Sequence, residues 1–326
     1  MRYLFLTKSS EDPATRYRVQ PITRALVERG DQVRILNEPG TLGQLGAVLG
    51  STSFDAVFIQ RKLLNTFVAG LLSRTAKVLV FDHDDAIFLK SSGEKSVTRG
   101  RRYRAIVEAA DLVLGGNTYL CDAARNLGGV AELVPTSVET DHYHLQQKEE
   151  QMSMVWIGSR STSRYLEHFR ATLNAIGAHF PDLEFKIIGD FQMNFEHLRT
   201  RHIAWSQVTE TSELAKSHIG IAPMVDDRWT RGKCALKVIQ YMAAGLPVVS
   251  SDTGANHDVV RHGLTGFLAN SEQDWLSAIE QLVNSRELRQ RMGEAGRSVV
   301  KENYSTQAAA TRVLGLLDTL TSGRNQ

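Results

Sequence analysis

The feature that most constrains this chain is an alternation that runs along it: apolar runs of strand length separated by longer amphipathic stretches. That alternation is the pattern of a parallel sheet wound with helices. In the first half the strand candidates are residues 3–7, 32–36, 56–60, 78–81, 112–114 and 131–134. The pattern restarts at 154–157 and continues through 185–188, 219–222, 248–250 and 266–268. Between the halves, ETDHYHLQQKEEQ has no apolar period and reads as an exposed linker near residues 139–152. From Ser271 onward the apolar spacing is helical to the end. A length of 326 residues suits two domains. The expectation is an α/β chain of two Rossmann-like, doubly wound parallel-sheet domains facing a central cleft. They are placed at 1–145 and 153–304, with a last helix at 305–326 crossing back to the first.

Composition narrows the function. With 42% hydrophobic and 23% charged residues, neither disorder nor a fibrous class fits. A net charge of +2 is too small for a nucleic-acid footprint, so a nucleic-acid partner is excluded and any anion site must be local. Cys121 and Cys234 stand far apart without zinc spacing, which points to no metal centre and to a reducing compartment. The N-terminus lacks a signal-peptide pattern, and the apolar stretch around 63–81 is broken by Arg74 and Lys77. A cytoplasmic protein is expected, at most peripheral to the inner face of a membrane.

The most informative stretch runs from Ile219 to Ala269. A strand leads into a basic glycine-containing turn of Arg231, Gly232 and Lys233, then a helix, then Gly245 and Pro247 before another strand. A helix opening near Gly232 would present free amides and a positive dipole end, with Arg231, Lys233 and Lys237 adding charge. That combination suits a diphosphate. The next turn, with Gly254, Ala255 and Asn256 between strand and helix, offers a second set of amides. Three aspartates, Asp82, Asp84 and Asp85, surround His83 at the end of a first-half strand and would favour a charged imidazole.

The stretch resembles family 4 glycosyltransferases of the GT-B fold. Their signature is two glutamates separated by seven residues, followed by an alanine-rich helix end and Gly-x-Pro-Val-Val. Here Gly245-Leu246-Pro247-Val248-Val249 matches the end, while Gly232 and Gln240 stand at the two glutamate positions. The resemblance implies that Gln240 holds the nucleotide ribose, since an amide can both donate and accept. Asp226, Asp227 or backbone amides would stand in for the missing first carboxylate. SMVWIGSRSTSRYL is similar to the opening turn of the family's nucleotide-binding domain, which assigns Ser159, Arg160 and Arg164 to the donor diphosphate. ELVPTSVETDHY is similar to the family's interdomain hinge. His83 falls where the family often contacts the transferred sugar, and Arg16, Arg18 and Asp84 lie on the acceptor side.

What the resemblance implies is retaining hexosyl transfer from a nucleotide-diphosphate sugar, UDP foremost, to a glycan or lipid-linked acceptor in cell-surface polysaccharide or lipopolysaccharide synthesis. No metal and no cofactor beyond the donor is expected. His83, Lys237 and Arg160 carry catalysis, and Arg231, Lys233 and Gln240 bind the donor. The basic run of Lys95, Arg99, Arg101, Arg102 and Arg104 is either a solvated face or a contact for an anionic membrane. Two alternatives stay open: a nucleotide-sugar-binding protein without transfer, and a nucleotide-sugar epimerase of the same fold. An oxidoreductase is disfavoured because neither first turn carries GxGxxG with a following acid.

Overall fold

The computed structural model describes residues 1–10, 12–37 and 40–322. Two compact units emerge. The first comprises Met1–Ser137, the short segment Asp227–Cys234 and the C-terminal helix Thr306–Ser322; the second comprises Val138–Asp226 and Ala235–Ser305.

The first unit is built on strands β1 (Arg2–Thr7), β2 (Gln32–Asn37), β3 (Ala56–Gln60), β4 (Leu79–His83), β5 (Leu112–Gly115) and β6 (Ala131–Leu133). They form one parallel sheet in the order β2-β1-β3-β4-β5-β6. Both faces of a parallel sheet must be covered, so its strands read as continuous apolar runs. Leu4, Leu6, Val57 and Ile59 pack to one side. Phe5 and Phe58, stacked with ring centroids 4.4 Å apart, pack to the other. That second side also receives Val313 and Leu317 of the C-terminal helix, whose Arg312 donates to the Leu133 carbonyl at 2.9 Å.

The second unit carries β7 (Ser153–Ile157), β8 (Glu184–Gly189), β9 (Arg199–Ala204), β10 (Ile219–Ala222), β11 (Val248–Ser251) and β12 (Gly266–Ala269). Their order is β12-β11-β10-β7-β8-β9, again all parallel. The direction of strand progression reverses between β7 and β10, which is where a doubly wound sheet opens a crevice for ligands.

Two features depart from the sequence reading. β9 was not anticipated, because RTRHIA has neither an apolar run nor a clean alternation. It forms because it is an edge strand with partly exposed faces, where packing does not demand apolar side chains. The stretch 139–152 is also not a bare linker. Tyr143 is buried, and Glu149 accepts from the fully buried Lys186 at 3.0 Å and from Arg201 at 2.9 Å. Lys186 cannot be left charged and unpaired in that position, so tertiary charge pairing anchors a segment that its own sequence leaves polar.

The helix Leu236–Ala243 is fixed to the second sheet by one close approach. Gly220 of β10 lies against the Tyr241 ring, and a methyl at position 220 would sit 2.5 Å from Tyr241 Cγ. The Ile157 amide then donates to Tyr241 Oη at 3.0 Å, tying the helix to the end of β7. Gly220→Ala is expected to destabilise the protein by about 1–3 kcal/mol through overpacking. Urea denaturation of the variant against the wild-type chain measures it.

Candidate functional site

In the second unit, three loops follow the carboxyl ends of the adjacent strands β7, β10 and β11. After β7 the chain turns at Gly158, where a Cβ would collide with the Trp156 ring and lie 2.7 Å from Thr162 Oγ1. That tight turn exposes Ser159, Arg160 and Arg164. The Arg160 amide donates to Asp190 Oδ1 at 2.8 Å, and the Arg164 guanidinium lies 5.1 Å from the centroid of the Tyr165 ring. After β11, Gly254 takes φ +50 and opens the short helix Ala255–Val259, with Asn256 buried. The Thr253 hydroxyl donates to Asp226 Oδ1 at 2.8 Å, and the Met224 amide donates to Ser251 Oγ at 2.9 Å, so the loops after β10 and β11 are stitched together.

Lys237 stands in the first turn of the helix Leu236–Ala243, its ammonium 5.0 Å from the centroid of the Trp156 ring. A cation over an indole face is held without being neutralised. The structure thus brings Ser159, Arg160, Arg164, Lys237 and the Gly254–Asn256 turn to the same edge of one sheet, at its switch point.

Gln240, one turn further into that helix, is buried and donates through Nε2 to Glu210 Oε1 at 2.8 Å. The same carboxylate accepts from Tyr143 Oη at 2.9 Å and from Trp205 Nε1 at 2.8 Å. Sequence reasoning missed Glu210. A signal existed, since Glu210 precedes Leu214 by four residues on the buried stripe of the helix Gln207–Lys216, an acid among apolar positions.

The Arg231-Gly232-Lys233 turn is a correction. No helix opens at Gly232. Residues Thr230–Gly232 form a single 3-10 turn, Lys233 is extended, and Ala235 adopts φ +51 before the helix begins at Leu236. The turn belongs to the first unit. There the Gly232 amide is used by the Trp229 carbonyl at 3.1 Å, and the Lys233 amide by Thr230 at 2.9 Å. Gly232 packs so closely on Ala86 that an added Cβ would lie 2.6 Å from that methyl. Lys233 pairs with Asp85 at 2.7 Å, and the Arg231 carbonyl accepts from Asn117 Nδ2 at 3.0 Å. Asp227, offered as a stand-in for the first carboxylate, caps the same turn by accepting from the Trp229 and Thr230 amides at 2.7 and 2.8 Å. The amides and the Lys233 charge expected to face a diphosphate are spent on the protein itself.

Two acceptor-side expectations in the first unit also change. Arg18 does not reach outward: it is buried, pairs with Asp82 at 2.5 Å and donates to the Val134 carbonyl at 2.8 Å. Burial works against its charge, and Asp82 more than restores it, so its pKa is raised. Asp84 lies 3.6 Å from Arg61, which also pairs with Asp85. Arg16 sits over the Tyr17 ring at 4.8 Å.

The other change is His83, at the end of β4. It is fully buried, its ring stacked on Phe81 at 5.1 Å, with Nδ1 3.3 Å from the Asp85 carbonyl and Nε2 3.4 Å from Tyr103 Oη. The expected imidazolium does not form. Burial pushes its pKa down to about 4, because the neighbouring aspartates are already paired with Arg18, Arg61 and Lys233. Among the described residues, no group of three or more His, Cys, Asp or Glu side chains is arranged to hold a metal ion.

A histidine depressed from 6.5 to about 4 contributes stability that is complete above about pH 6.5 and is lost as pH falls towards 4. His83→Phe should therefore flatten the loss of unfolding free energy between pH 7 and pH 4.5, by roughly 2–3 kcal/mol. Urea titrations at the two pH values check it.

Comparison with known proteins bears on the second unit most directly. Residues 151–285 match the family model for glycosyl transferases group 1. A sulfoquinovosyl transferase of Arabidopsis thaliana is 26% identical over 170 residues, 49% of this chain and 32% of that protein. The chain spans about a third of the length of the curated relatives it matches. Among solved structures, sucrose-phosphate synthase from Thermosynechococcus elongatus superimposes with a TM-score of 0.78 at 15% identity, covering 99% of this chain and 100% of that one. Anabaena HepE in complex with UDP gives 0.73 at 14% identity, covering 98% and 100%. Residues 151–285 are therefore a glycosyl transferase group 1 domain, in a chain with the GT-B fold.

Proposed function

We propose that this protein is a retaining hexosyltransferase. It takes the sugar from a nucleoside-diphosphate donor and passes it to a glycan or lipid-linked acceptor in cell-surface polysaccharide or lipopolysaccharide synthesis. The observation that carries this reading is Lys237 in the first turn of its helix, held over Trp156 at the switch point of the second sheet, with Arg160 and Arg164 exposed on the loop after the neighbouring strand. The negative charge that develops as the diphosphate leaves needs preorganised cations and amides, and this edge supplies them without a metal. The UDP held by the fold neighbour HepE supports uridine as the base.

A second reading, nucleotide-sugar binding without transfer, is favoured by one observation: no carboxylate stands at position 232, where the glycine is buried against Ala86. Calorimetric titration with a panel of nucleotide sugars, followed by hydrolysis measurements on the best binder, separates the two. Slow release of free sugar supports transfer; tight binding with no release leaves the binding protein. Within the transferase reading, Lys237→Ala is expected to lower turnover on the order of a hundredfold, about 2–4 kcal/mol of barrier. Its thermal midpoint should stay close to wild type, because the side chain is only partly buried. Unchanged turnover would remove Lys237 from the mechanism.

The proposed location is the cytoplasm, with peripheral contact at the inner membrane face. No helix among the described residues is long and apolar enough to cross a membrane. The first-unit helix Val97–Ala109 instead places the almost fully exposed Val97 beside Lys95, Arg101 and Arg104. An apolar tip amid cations suits an anionic surface. Co-sedimentation with vesicles containing anionic lipid should fall when Arg101 and Arg104 are changed to glutamate, and equal co-sedimentation would exclude this face.

A further inference from the structure

We propose that Trp205 is the platform on which the donor's nucleobase stacks, and that Glu210 holds Trp205 and Gln240 together as one reader of the nucleoside. The inference rests on the reading of residues 151–285 as the nucleotide-sugar site.

Trp205 directly follows β9, at the carboxyl edge of the second sheet, the edge at which doubly wound domains take ligands. Its side chain is 51% exposed, whereas Trp156 and Trp275 are each 1% exposed in the core. An exposed indole gains little from packing, yet this one is fixed in place. Its Nε1 donates to Glu210 Oε2 at 2.8 Å, and the backbone beside it is held by the capping box of Ser206 and Thr209. Thr209 Oγ1 also donates back to the Ala204 carbonyl at 2.9 Å. An aromatic ring already immobilised loses little entropy when a flat ligand covers it.

Glu210 is 1% exposed. Withdrawing a carboxylate from water is costly, and this one accepts hydrogen bonds from three neutral donors, Trp205, Tyr143 and Gln240. The shared acceptor places Gln240 and Trp205 on opposite oxygens of a single carboxylate. Gln240 in turn lies three residues beyond Lys237 on the same helix, a spacing that puts both on one face. Ammonium, amide and indole therefore follow one another in the order of phosphate, ribose and base along a nucleotide. Every base has a π face, so stacking supplies affinity, and selection among bases falls to polar contacts at the rim.

The experiment titrates the intact chain with UDP, ADP, GDP and inorganic pyrophosphate by calorimetry, comparing wild type with Trp205→Ala and Trp205→Phe. Trp205→Ala should weaken the best nucleoside diphosphate about tenfold and leave pyrophosphate unchanged, while Trp205→Phe, which keeps an aromatic face, should lose less. Nucleotide should quench the indole emission of wild type, and that change should vanish in Trp205→Phe. Nucleotide affinity within twofold of wild type in Trp205→Ala, or equal quenching in both proteins, overturns the stacking role. Failure of the folded wild-type chain to bind any of the three nucleotides overturns the donor-site reading itself, and the stacking with it. Glu210→Gln, checked for folding by circular dichroism, should weaken nucleotide while sparing pyrophosphate; equal losses for both ligands would contradict the coupling. Because a buried substitution can unfold the chain, the two Trp205 variants carry the test alone.

Discussion

The contact between Gly220 and Tyr241 is the constraint on which the second unit's chemistry rests. Without a Cβ at position 220, the helix Leu236–Ala243 lies close against β10, and Tyr241 reaches the backbone at the end of β7. That single approach sets the height and rotation of the helix. Lys237 then falls over Trp156, and Gln240 falls within reach of Glu210. Packed interiors leave no slack for such a helix to sit elsewhere, so the positions of two site residues are consequences of one missing methyl.

Charge is managed in opposite ways in the two units. In the first, the aspartates that end β4 are matched by Arg18, Arg61 and Lys233, so cations that look available in the sequence are consumed by the protein. The same pairing leaves His83 with nothing to hold a proton, and burial decides its neutral state. In the second unit, the described hydrogen bonds to the buried carboxylate of Glu210 come from neutral groups, which themselves stand near the proposed nucleotide path. Ionic pairing makes a rigid wall, whereas neutral donors around an acid make a precise but adjustable one.

Much of this protein was legible in one dimension. Eleven of the strands appear as apolar runs, because a parallel sheet covered on both faces admits little else, and the glycines at 158 and 254 mark turns that only a small residue fits. β9 was invisible because an edge strand is released from that rule. The Arg231-Gly232-Lys233 turn misled for a related reason. Composition shows which charges a loop carries, but only the packing of Gly232 on Ala86 and of Lys233 on Asp85 shows where they are spent.

What the sequence by itself determined is the local and periodic: two doubly wound sheets, the strand ends at which ligands gather, and the loops that carry Ser159, Arg160, Lys237 and Gly254. What only the tertiary structure decided is partnership between residues far apart in the chain. The meeting of Glu210 with Gln240, Tyr143 and Trp205, the neutrality of His83 and the burial of Arg18 depend on which side chains share an enclosed space. Short-range pattern encodes which face of an element is apolar; the state of a buried charge depends on distances that the pattern does not contain.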